Sequence, residues 1–82
     1  MIEKLSQLYK ILVNNEYYQD AERIKELMNE IAEGATDTTE KRLIAMCNPR
    51  YLGNLNIKEY ESVYEWWNFL GSISELASKE IR

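Results

Sequence analysis

The last third of the chain, residues 56–82, constrains the fold most. Read as a helix, its polar residues Lys58, Glu61, Glu65, Asn68, Ser72, Glu75 and Lys79 recur every three or four positions and share one face. The opposite arc collects Val63, Trp66, Trp67, Leu70, Ile73, Ala77 and Ile81, with Phe69 and Leu76 on one flank. So wide an apolar arc belongs to a helix that touches several neighbours. Trp67 falls at its centre and is the expected core tryptophan. Trp66, about 100° round the helix, is open to either a core or a surface role. Asn56 with Glu59 three residues later is a capping signal that predicts the helix start. Gly71 lies inside the pattern, which continues in phase across it. One helix, bent or straight, is expected; the alternative is a break between Leu70 and Gly71. Gly71, Ser74 and Ser78 also align as a small-residue stripe that a second helix could approach closely.

The upstream segments are shorter and amphipathic. Ile2, Leu5, Leu8, Tyr9 and Leu12 share a face over residues 2–13, extended by Ile11 and Val13. Asn14-Asn15 is the predicted stop, because asparagine tolerates the left-handed conformation that closes many helices. Residues 16–33 carry Tyr17, Ala21, Ile24, Leu27, Met28 and Ile31 as a second stripe, with Gly34 as its C-terminal glycine. Ala35-Thr36-Asp37-Thr38 reads as a polar link, and Asp37 with Glu40 as the start of a short helix over residues 38–47. Pro49 ends that helix, since the residue before proline is pushed out of helical geometry. With one proline and three glycines in 82 residues, little punctuation is available for a many-turned β fold. The expected architecture is a single all-α domain spanning residues 1–82, a bundle of three substantial helices plus one short one.

Charge narrows the function. The net charge is −4, and residues 16–40 hold eight acids against two bases. Nucleic-acid binding needs the opposite sign, because affinity comes from cations that displace counterions. No apolar run is long enough to cross a bilayer. The single cysteine, Cys47, and the lack of a basic-then-apolar leader in residues 1–7 point to a reducing cytoplasm.

Catalytic equipment is sparse. The chain has no histidine, the usual general base at neutral pH, and one cysteine cannot build a His/Cys zinc site. No glycine-rich phosphate loop occurs, and Glu-x-x-His pairs for a di-metal bundle are missing. These absences point to a non-enzymatic protein without cofactor or metal, with Cys47 as a buried structural thiol.

Two features remain for binding. Glu22, Glu26, Glu30 and Glu33 follow at steps of four, four and three, preceded by Asp20. Asp20–Arg23 and Glu22–Lys25 supply opposite pairs, but Glu30 and Glu33 have no base at helical spacing. Like charges there, at a helix C-terminus, oppose each other and the helix dipole. Lysine at positions 30 and 33 is therefore expected to firm the fold. The face is either a solvated surface or an acidic ridge for a cationic partner. The second feature is the aromatic load, six tyrosines and two tryptophans, more than a small core can bury with every polar tip satisfied. Tyr17, Tyr18, Tyr64 and Trp66 are the candidates for exposed contact residues.

The Asn14-Asn15-Glu16-Tyr17-Tyr18 turn and the Gly53-Asn54-Leu55-Asn56-Ile57 lead into the last helix resemble small helical bacterial immunity proteins, including those of contact-dependent growth inhibition systems. The resemblance spans about residues 5–80. It departs from that pattern at Asn15, where glycine is the expected residue, and at the turn of residues 48–51. It implies a protein that blocks a toxin domain, often a basic nuclease, by occlusion. Asp20, Glu22, Glu26, Glu30 and Glu33 would then face the toxin's lysines and arginines. A self-associating adaptor bundle and a small regulator of another protein's helix are the alternatives.

Overall fold

A computed structural model describes residues 2–34 and 37–80. Four α-helices and no strand are found among them: α1 (Ile2–Asn14), α2 (Tyr18–Gly34), α3 (Asp37–Met46) and α4 (Val63–Glu80). A single 3₁₀ turn (Leu52–Asn54) interrupts the segment between α3 and α4. The protein is an all-α bundle of three long helices and one short one. Residues 35 and 36 of the expected polar link, and Ile81 of the apolar arc, lie outside the described residues.

The core forms where the stripes meet. Leu5, Leu8 and Leu12 of α1 face Ala21, Ile24 and Leu27 of α2, while Leu43 and Met46 of α3 join Trp66, Leu70, Ile73 and Ala77 of α4. α1 packs along α2, α3 touches both α2 and α4, and the 3₁₀ turn lies on α4. Side chains also tie the two ends of the chain: the Lys4 ammonium bonds the Ser72 hydroxyl at 2.9 Å and sits 5.5 Å from the centre of the Phe69 ring. α4 runs unbroken through Gly71. Nothing among the described residues lies within 4 Å of where a Cβ on Gly71 would be, so no second helix approaches closely at that position.

The α1–α2 turn closes differently from the asparagine expectation. Glu16, not Asn14 or Asn15, takes the left-handed conformation, at φ 67°. The Tyr17 N–H reaches back to the Leu12 carbonyl (2.8 Å) and the Glu16 N–H to that of Val13 (3.0 Å), the paired bonds of a Schellman closure. Asn15 is released for another task. Its Nδ2 donates to the Ile11 carbonyl and to Glu59 Oε1 (2.8 Å), and its Oδ1 accepts the Lys58 N–H (2.9 Å).

That task explains the largest correction. Helix α4 begins at Val63, not at Asn56. Asn56 and Glu59 spend their polar groups on the α1–α2 turn: the Tyr17 hydroxyl accepts the Asn56 N–H (3.1 Å) and donates to the Asn56 carbonyl (3.3 Å), while Glu59 takes Asn15. Residues 56–59 are thereby held against the α1–α2 turn. The true cap is Ser62, whose Oγ accepts the Tyr64 N–H (3.2 Å), with Glu65 in the matching capping-box position.

A candidate protein-binding surface

The burial of the two tryptophans also differs from the expectation for Trp67. Trp66 is the core residue, 1% exposed, packed against Tyr60 and stacked on Phe69 at 5.9 Å. Trp67, expected at the centre of the arc, is 37% exposed. The buried stripe runs Trp66, Leu70, Ile73, Ala77, and Val63, which pulled the expected centre toward Trp67, is 47% exposed. Trp66 is therefore not available as a contact residue. Both indoles still find a partner in the same turn. Trp66 Nε1 donates to the Leu52 carbonyl (2.8 Å) and Trp67 Nε1 to that of Gly53 (2.9 Å). Consecutive carbonyls of the 3₁₀ turn are thus clamped by consecutive residues of α4. Gly53 is required there, since a Cβ would come within 2.8 Å of Trp67 Nε1.

The other aromatic candidates divide. Tyr18 and Tyr64 are well exposed. Tyr17 is half-buried, with its hydroxyl committed to Asn56. Trp67 and Val63 were missed as surface residues. The signal that could have found them was Ser62-Val63-Tyr64-Glu65, a start signal as good as the one at Asn56. Tyr64 and Trp67 meet edge to face, with centroids 5.6 Å apart and planes at 87°.

The acids of α2 lie along one helix but differ in what they meet. Glu22, Glu26 and Glu33 are exposed, Asp20 and Glu30 half-buried. Glu30, which has no base at helical spacing, is supplied from α3. Its Oε1 accepts the Thr39 hydroxyl (2.8 Å) and its Oε2 pairs with Arg42 at 2.7 Å. Arg42 also lies 4.0 Å from Glu26. The expectation that lysine at position 30 would firm the fold is therefore corrected, because it would set two cations together and remove the Thr39–Glu30 hydrogen bond. Asp20 is drawn into a small cluster in which Arg23 donates to the Tyr51 hydroxyl, which in turn lies 3.3 Å from Asp20. Glu22 and Glu33 have no ion-pair partner among the described residues. With five acids and two bases on α2, Arg42 reduces its acidic excess from three to two.

Among the described residues no cluster of three acidic or cysteine side chains could hold a metal ion. Burial pushes the Cys47 thiol up to about 12, with a Ser74 hydrogen bond opposing the shift only in part, so the nucleophilic thiolate is suppressed. The cleft of about 330 Å³ between Asn15, Tyr17 and Ile57 is lined by polar groups that already bond one another across it.

Comparison with family models, curated proteins and solved structures finds no match for this chain. Its surface chemistry has to carry the functional reading. No described helix is long and apolar enough to cross a membrane.

Proposed function

We propose that this chain is a non-enzymatic binding module for a cationic protein surface, acting as an immunity protein that covers a basic toxin domain. The observation that carries the reading is the charge left on α2. After Arg42 has paired with Glu30 and approached Glu26, Glu22 and Glu33 still face solvent with no counter-charge among the described residues. Unpaired carboxylates along one rigid helix suit long-range attraction of a cationic partner and fix the register of docking. Exposed aromatics such as Tyr18 supply contact area. The resemblance at residues 14–18 and 53–57 gives the partner a class, a toxin domain whose substrate-holding lysines and arginines are occluded.

The test is retention of partners from the native cell by the tagged chain, in parallel with a Glu22→Lys/Glu33→Lys variant. Both positions are exposed, so the variant should fold as the parent does. A basic protein held by the parent and lost by the variant is the expected result. Equal retention by both would remove α2 from the contact.

A further inference from the structure

The Tyr64–Trp67 pair has a geometry that the α2 reading does not use. Two aromatic rings at right angles form two walls of a corner, the element from which cation-binding aromatic cages are built. One wall of the corner is held in place. Trp67 is pinned through its Nε1 to the Gly53 carbonyl, and its indole packs on the Gly53 backbone. The corner is also uncovered. Tyr64 is 68% exposed, and one turn beyond Trp67 the exposed Gly71 offers no side chain to overlie it.

Charge says what would fill it. Between Glu59 and Glu75 the sequence has four carboxylates and no lysine or arginine. Glu61 and Glu65, both exposed, flank Tyr64. Among the described residues the cation placed over a ring is Lys4, on Phe69; Arg50, on the turn beside Gly53, makes no such contact. The cations of the described residues therefore leave the corner free. A hydrophobic segment would gain little from the acidic flank, and a second copy of this chain would bring like charges together. A guanidinium matches both features, because it stacks on aromatic faces and carries the complementary charge.

We propose that Tyr64 and Trp67, with Glu61 and Glu65 beside them, receive an arginine side chain of a protein partner. The inference rests on the binding-module reading and adds to it a second contact, on α4, with a stated chemistry.

The two indole N–H groups allow a direct test by ¹H–¹⁵N spectra of the full chain titrated with an oligo-arginine peptide. The Trp67 indole signal and the amides of residues 61–68 should move, while the indole of the buried Trp66 stays in place. Tyr64→Ala should keep the parent's melting temperature and weaken the peptide by about threefold to fivefold, the size of an exposed cation–π contact. Oligo-lysine of equal length should bind more weakly than oligo-arginine. Shifts confined to α2, with Trp67 unmoved, would overturn this inference and leave the α2 reading intact. Shifts at α4 with α2 silent would do the reverse. An unchanged response in Tyr64→Ala, or signals that move with protein concentration alone, would also overturn it, the latter by showing that a second copy occupies the corner.

Discussion

At the scale of single residues, neighbours in sequence have opposite duties. Trp66→Ala removes a fully buried ring, a change that typically costs about 3–5 kcal/mol. Trp67→Ala loses an indole that is about one-third exposed and one hydrogen bond, worth about 1 kcal/mol plus partial packing. Thermal melts of the two variants should rank Trp66→Ala far below Trp67→Ala; equal losses would mean that the helix is rotated from the position described. The glycines give a second contrast. Gly53→Ala drives a methyl into the Trp67 indole and should lower the melting temperature, whereas Gly71→Ala meets nothing and should raise stability by about 0.5–1 kcal/mol through helix propensity alone. Cys47 adds a pH dependence. Its folded-state pKa lies above the unfolded value of 9.0, so the folded state holds the proton longer. Stability is then unaffected below pH 9 and falls as pH rises toward 12, by about 1.4 kcal/mol per pH unit at most. Cys47→Ala should flatten that alkaline fall, measured as urea midpoints from pH 8 to 11.

At the scale of elements, regular periodicity was legible and its interruption was not. Leu5, Leu8 and Leu12 on α1, and Ala21, Ile24 and Leu27 on α2, stand at helical spacing in the sequence and are buried in the structure. α3 and the unbroken α4 followed from the same pattern. The start of α4 did not, because Asn56 and Glu59 carry a capping signal yet satisfy polar groups on a turn some forty residues away. A local rule sees a capacity to cap; it does not see that the Tyr17 hydroxyl engages the Asn56 backbone and that the Asn15 side chain takes the Glu59 carboxylate. Counting Val63 into the apolar arc put Trp67 at its centre and left the role of Trp66 open, whereas Trp66 is the buried one. The α1–α2 turn teaches a related point. Glu16 adopts the left-handed conformation because the Schellman bonds and the seating of Tyr17 over-determine it, at a local cost of roughly 1–2 kcal/mol. Glu16→Gly should recover about 1 kcal/mol of that in a denaturant melt. A loss of stability instead would mean that the glutamate side chain contributes something its backbone does not reveal.

At the scale of the whole molecule, charge is the feature that the fold redistributes. The acidic excess of residues 16–40 could be read from the sequence, but the fate of each carboxylate could not. Arg42 lies twelve residues from Glu30 and meets it only because α3 folds back on α2. Glu30 thus becomes a structural link between helices, and Glu22 and Glu33 are left as the α2 carboxylates with no ion-pair partner among the described residues. The account therefore rests on those two positions. Its most direct test is the association rate of parent and Glu22→Lys/Glu33→Lys with the partner recovered by the tagged chain, at low and high salt. Steering by opposite charges is screened over about 10 Å at 0.1 M salt. The parent should associate fast at low salt and slow steeply as salt is added. The variant should associate slowly at both, with affinity reduced by several kcal/mol where like charges now meet. A parent rate insensitive to salt, together with unchanged affinity in the variant, would contradict the account.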